Sequence, residues 1–140
     1  MAIESATAET LFAAISTSFA AIYDIAFPSV DFTPSSPTAV YLDVSWLPNG
    51  AAWEAVGSDP VTHQGILQIA VMHPSSPSPG AVAPVTFAAT VADTFDKGTR
   101  FFGTGCVVTI PTRPVIAQPF PSDGYVRVPV TISYQSETAT

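Results

Sequence analysis

Two proline-rich stretches limit what this chain can fold into. Pro28, Pro34 and Pro37 fall in "FPSVDFTPSSPT", and "PSSPSPG" begins at Pro74. Proline lacks the backbone donor and pushes the residue before it toward extended geometry, so neither stretch fits inside a helix. We therefore predict a connection over residues 28–38 and an exposed loop over 74–83. Both lie within one domain of 1–140, since 140 residues is an ordinary length for a single core.

Two segments place apolar residues at helical spacing. In each segment the apolar positions recur every three or four residues, which forms one stripe along a helix. The stripes are Leu11, Ile15, Phe19 and Ile22 in the first segment, and Phe87, Val91 and Phe95 in the second. Pro84 is tolerable in the first turn of the second helix, which we expect to begin near residue 81.

Other segments alternate apolar and polar residues, as strands with one buried face do. They are "VYLDVSW", "GILQIAVMH" and "YVRVPVTISY". "CVVTIP" and "RPVIAQPF" are shorter strands, the second at an edge because of its prolines. Turns are expected at "PNG" and "SDG", and a flexible tail at 136–140. The order predicts an α+β domain with a mixed or antiparallel sheet of four to five strands and two helices packed on one face.

Charged residues are scarce and mostly acidic. Only 11% of residues are charged, against about 25% in ordinary soluble domains, and the formal net charge is −7. Four basic residues are too few for free nucleic-acid binding. A charge-poor surface is also expected where neighbouring subunits cover it. With no basic leader and no long apolar run, we expect no membrane association and a protein made in a cytoplasm.

The glycine-rich stretch "VADTFDKGTRFFGTGC" suggests a phosphate loop, but the order of its elements is reversed. A phosphate loop precedes a helix, whereas this stretch follows one and leads into a strand. Lys97 suits the last turn of the helix, and Gly98 suits a left-handed stop after it. We expect a helix end followed by the start of a strand.

No residue set predicts catalysis, a metal site or a cofactor. Asp93 and Asp96 fall on one solvated helix face, and His63 and His73 flank a strand too long for them to share an ion. Cys106 is expected to be a small buried residue. A small-ligand module or enzyme stays an alternative if His63, His73 or Cys106 converge in a cleft between sheet and helices.

The basic end of the same stretch predicts a protein contact. Adjacent residues of a strand point to opposite faces, so one of Phe101 and Phe102 stays outside the core. The alternative is that both enter the core with a bulge between them. Aromatic residues and arginine are enriched at interfaces. The expected assembly residues are Lys97, Thr99, Arg100, Phe101, Phe102 and Arg113.

In the order of its motifs, the chain resembles the tail terminator, or tail completion, proteins of long-tailed bacteriophages. The motifs are the early helix running into "FPSVDFTP", then "YLDVSWLPN", "GILQIAV", the helix ending "FDKGT", and "GYVRVPVTISY". The resemblance covers about residues 3 to 135. It implies a structural virion subunit without catalytic site or cofactor.

The resemblance also implies partners. Copies of the subunit would form a homohexameric ring that caps the tail tube, ends its polymerisation and joins the tail to a head-tail connector or stopper protein. DNA would only pass through the channel. Such a protein is assembled in the host cytoplasm and resides in the virion, at the tail end near the neck. Another small virion component, such as a neck stopper or tail-tube subunit, is the alternative.

Overall fold

The computed structural model describes residues 3–34, 39–53, 61–75, 80 and 82–138. The described helices are α1 (Ile3–Phe19) and α2 (Val82–Thr94). The described strands are β1 (Asp24–Ala26), β2 (Tyr41–Trp53), β3 (Val61–Pro74), β4 (Arg100–Gly103), β5 (Cys106–Thr109), β6 (Val115–Ile116), β7 (Phe120–Ser122) and β8 (Tyr125–Thr138). The α+β class is confirmed, but four to five strands is too low a number. The additional strands have only two to four residues, too few to show alternation.

All eight described strands form one mixed sheet in the order β1-β2-β3-β8-β5-β4. β1 is parallel to β2, and the other pairs are antiparallel. β3 and β8 pair without a register shift, from His63 opposite Ser136 to Pro74 opposite Tyr125.

The other edge of β8 is covered in turn by β5, β6 and β7. These three strands are successive parts of one extended segment, which the prolines between residues 111 and 121 interrupt. Proline cannot donate to a sheet, so it belongs at such an edge. The edge position predicted for "RPVIAQPF" is confirmed, although the segment forms two short strands.

Both helices pack on the same face of the sheet. Alternate residues of the strands form the sheet's side of the core. They include Leu42, Val44, Leu67, Ile69, Val71, Val108, Val128, Val130 and Ile132. Leu11, Ile15 and Phe19 of α1 are buried against them, as are Val91 and Phe95. Ile22 is 69% exposed, so its place in the predicted stripe is wrong. The reason is that α1 ends at Phe19.

The opposite face of the sheet carries a smaller cluster of its own. Arg127 donates from Nη1 to Oδ2 of Asp43 at 2.8 Å, and the same nitrogen lies 3.5 Å from Sδ of Met72. Beside them the rings of Tyr41 and Tyr125 meet edge to face at 5.2 Å. This cluster fastens β2, β3 and β8 together on the face that the helices do not cover.

Both edge strands of the sheet flank α1. On one side, Gly103 of β4 lies against Thr10 so closely that a Cβ there would collide with the threonine side chain. On the other side, the ring of Phe12 packs against Phe27, just after β1, at 5.6 Å. The sheet is therefore curled, and α1 fills the space between its two edges.

Two local predictions are corrected. "PNG" forms no turn: Pro48 to Gly50 lies within β2, where Pro48 is opposite Gly65 and Ala51 is opposite His63. The one-residue shift is a bulge, which accommodates the proline in the strand. The predicted flexible tail begins too early, because β8 runs to Thr138 and Cys106 pairs with that residue. Residues 35–38, 76–79, 81 and 139–140 of the predicted loops and tail lie outside the described residues.

Gly65 lets an aromatic side chain lie flat on the sheet. The Tyr134 ring lies over Gly65, where a Cβ would overlap its phenol. The Tyr134 hydroxyl accepts a hydrogen bond from Nε1 of Trp46 at 2.8 Å. Burial raises the pKa of the Tyr134 phenol, and the bond from Trp46 partly offsets that. Across three strands, these residues close the end of the core beneath Phe12, which meets Trp46 edge to face at 6.3 Å.

Gly65→Ala is expected to lower the free energy of unfolding by about 2–4 kcal/mol, because the methyl group must displace Tyr134 and break its bond to Trp46. Denaturant unfolding measures this. In a Tyr134→Ala background the same substitution should cost about 1 kcal/mol or less, since the ring that it displaces is gone. Equal losses in both backgrounds would contradict this account.

Candidate assembly surface

The chain leaves α2 through a tight turn that leads into β4. After the buried Phe95, the Thr99 N–H donates to the Asp96 carbonyl at 3.1 Å. The Asp96 carboxylate accepts from the Lys97 N–H at 2.8 Å, which is the largest factor lowering its pKa. The turn thus fixes the direction in which β4 starts.

Gly98 occupies the third position of this turn with φ of +87°, the left-handed conformation that we expected. Its N–H donates to the Ile110 carbonyl at 2.7 Å, not to a carbonyl of α2. The predicted helix end is therefore corrected: α2 stops at Thr94, and Lys97 lies beyond its last turn. The hydrogen bond to Ile110, just after β5, rather than a helix cap, holds Gly98 in place.

Arg113 is bound inside the subunit. Its guanidinium donates to Asp93 at 3.0 Å and contacts Asp96 at 3.2 Å. The hydrogen bonds to Asp93, then to Asp96, raise the pKa of Arg113. Both aspartates are solvated as predicted, but they do not share a helix face, because α2 ends at Thr94 and Asp96 lies beyond it. Their role is to fasten the segment after β5 to α2. Arg113 is thus a bound cation, not a free one beside Arg100.

The two phenylalanines of β4 separate as alternation predicts. Phe101 is half-buried and packs against Phe95 with ring centroids 5.3 Å apart. Phe102 is 74% exposed, and the Arg100 guanidinium lies 5.5 Å from its ring centroid. The alternative with both rings in the core is wrong, because β4 pairs regularly with β5 and has no bulge.

We call the exposed group Lys97, Arg100 and Phe102 the β4 knob. Lys97 and Arg100 are exposed, and neither forms an ion pair with any described residue. Thr99 is half-buried and accepts at its carbonyl from the Ile110 N–H at 2.9 Å. Of the six predicted assembly residues, the structure thus places Arg100 and Phe102 side by side on the surface, with Lys97 exposed three residues before Arg100.

A groove of about 560 Å³ separates the β4 knob from α1. Arg100 and Phe102 line one wall, and Glu9, Ala13 and Thr17 of α1 line the other. Only Glu9 on that wall is long and charged, so the groove stays open. Sequence reasoning missed it, because α1 and β4 are about ninety residues apart and no local pattern joins them.

The family model of phage tail terminator proteins matches residues 2–134. The chain belongs to the phage tail terminator family. That family is structural and not enzymatic, and it places the protein in the virion tail.

A solved structure shares the fold of this terminator. One solved chain has a TM-score of 0.72 at 20% sequence identity, over 94% of this chain and 96% of that chain. At that identity the likeness shows the fold alone. No curated protein matches the sequence significantly. No described helix is long and apolar enough to cross a membrane.

The residues considered for chemistry lie apart in this terminator. His63 and His73 stand at opposite ends of β3, about 30 Å apart by strand geometry. Cys106 is buried, as predicted, and lies 3.3 Å from the Thr10 hydroxyl. Within the described ranges, no three His, Cys, Asp or Glu residues cluster closely enough to hold a metal ion.

Phe101→Ala and Phe102→Ala form a matched pair of substitutions on adjacent residues. Phe101→Ala should lower the free energy of unfolding by about 2–3 kcal/mol, because it removes the packing against Phe95. Phe102→Ala should change it by less than about 0.5 kcal/mol, since that ring is mostly in solvent. Denaturant unfolding of both variants measures the difference. A large loss from Phe102→Ala would mean that its ring supports the fold.

Gly98→Ala should lower the free energy of unfolding by about 1 kcal/mol through backbone strain alone, because a Cβ there meets no atom within 4 Å. Gly98→Asn should cost less, since asparagine tolerates positive φ better. Thermal or denaturant unfolding compares the two. If both variants cost the same, strain would not explain the loss.

Proposed function

We propose that this protein forms a homohexameric ring that caps the phage tail tube, ends its polymerisation and joins the tail to the head-side connector or stopper protein. The family match over residues 2–134 carries the proposal, since it covers nearly the whole chain. The ring assembles in the host cytoplasm and stays in the virion at the tail end near the neck. The protein has no catalytic role in this function.

Exposed apolar residues support a surface that other subunits cover. On the face of the sheet away from the helices, Leu47 and Ile66 are paired neighbours and are 59% and 38% exposed. Phe102 is 74% exposed at the edge. Large apolar side chains exposed in groups mark interaction surfaces in soluble proteins. We assign the β4 knob to subunit contacts and the outer sheet face to contacts with tail proteins.

The acidic balance supports a passage for DNA rather than a binding site. Residues 1–96 carry nine acidic residues and no basic one. Acidic side chains facing the channel would repel the DNA phosphates and keep the passing duplex from adhering. A neutral or basic lumen in the assembled ring would overturn this part of the proposal.

The test uses tails assembled without this protein. Tubes made in its absence should grow beyond their normal length, and purified protein added during assembly should restore that length. Electron microscopy of the capped ends should then show a six-fold ring. Unlimited filaments of the purified protein alone would instead identify a tube subunit, because an open contact polymerises whereas a ring closes.

A further inference from the structure

A second depression lies on the other side of α1 from the β4 knob. It has a volume of about 450 Å³ and is lined mainly by apolar side chains. We call it the α1–β1 pocket, and its lining residues used below are Phe12, Ala13, Phe27, Pro28 and Val30. Val30 is 63% exposed, so the pocket is open to a large apolar side chain from outside. Glu9 stands at its border.

The pocket and the β4 knob carry opposite charges. Besides Glu9, the exposed Asp31 directly follows Val30. The chain has eleven acidic and four basic residues. Arg113 and Arg127 are neutralised by aspartates of their own subunit. Among the described residues, Lys97 and Arg100 are therefore the free cations, and the β4 knob is where a second acidic copy is attracted rather than repelled.

The same charges exclude a contact of the β4 knob with itself. A two-fold contact would place Lys97 and Arg100 of one copy against Lys97 and Arg100 of the other, and like charges across an interface are destabilising. A head-to-tail contact avoids this, because each cationic surface then meets an acidic one. Such contacts generate rings when the rotation closes.

We propose that Phe102 of one copy inserts into the α1–β1 pocket of the next copy, with Arg100 and Lys97 facing the carboxylates of Glu9 and Asp31. This proposal rests on the ring assembly proposed above and names the two surfaces that meet in it. The exposed Phe102 ring is apolar like the lining of the pocket. The Arg100 guanidinium beside that ring is opposite in charge to the Glu9 carboxylate at the border of the pocket. The knob and the pocket lie on different sides of α1, so each copy can use both at once.

Charge reversal tests whether the contact joins two copies. Arg100→Glu alone and Glu9→Arg alone should each reduce the number of correctly capped tubes about tenfold. An equal mixture of the two variants should restore capping, because in an alternating ring every contact again joins one arginine to one glutamate. At one contact both residues are the substituted ones, and at the next both are the native Arg100 and Glu9.

Glu4→Arg is the matched control for this experiment. Glu4 is also exposed on α1 but does not line the pocket, so the variant carries the same change of charge away from the proposed contact. It should cap tubes normally.

The outcomes separate a contact between copies from one within a copy. Glu9 and Arg100 also border the groove of their own subunit. If only the double variant Glu9→Arg/Arg100→Glu restores capping and the mixture fails, the two residues act within one copy and the proposal is wrong. It is equally wrong if neither single variant impairs capping, or if Glu4→Arg impairs it as strongly.

A photocrosslink locates the partner of Phe102 directly. A benzophenone analogue of phenylalanine at position 102 is irradiated in capped tails built from a mixture of isotope-labelled and unlabelled protein. The expected product joins position 102 of one copy to the segment 9–16 or 27–30 of another copy. A cross-link between copies at another segment, to the tube protein, or within one copy overturns the proposal, as does the absence of any cross-link. A six-fold ring seen in the same tails would leave the proposed function intact.

Discussion

The rest of the fold depends on the unbroken pairing of β3 with β8. Both strands place alternate side chains under the helices, and their register runs from His63 to Pro74 without a shift. Because side chains alternate with a period of two, a slip by one residue would turn every core residue of a strand to the wrong face. β2 then pairs with β3, and β5, β6 and β7 pair with the free edge of β8. Both helices pack on the surface that this pairing creates.

Alternation predicted the long strands because each has enough residues to repeat the pattern and one clearly apolar face. The short strands gave no such signal: β1 has three residues and β4 has four, and tertiary pairing rather than propensity defines them. "PNG" illustrates the same limit. Its residues favour a turn locally, yet the pairing of β2 with β3 on both sides holds Pro48 to Gly50 in a bulged strand.

The candidate site is likewise predictable from the sequence only in part. Local rules predict the positive φ of Gly98, and the opposite orientations of Phe101 and Phe102 are one of the two arrangements that the sequence leaves open. The ion pairs of Arg113 do not follow from local rules. Its partners Asp93 and Asp96 lie in and just after α2, and they contact Arg113 only where β5 is paired with β8. The groove and the pocket beside α1 need the curl of the whole sheet, which no local pattern contains.

Two of the four basic residues hold the acidic chain together, and the other two stay available for the contact that we propose between copies. Arg127 joins β8 to β2 through Asp43, and Arg113 joins the segment after β5 to α2, so half of the cations serve the fold. The ion pairs of Arg113 are largely exposed and are individually weak, but they position the segment that follows β5. Lys97 lies in the turn into β4 and Arg100 begins β4, at one open edge of the curled sheet. An acidic surface elsewhere discourages random association, and cations confined to one edge give attraction a single direction. The proposed closed ring requires directed attraction of this kind, because undirected attraction between copies would instead give aggregates.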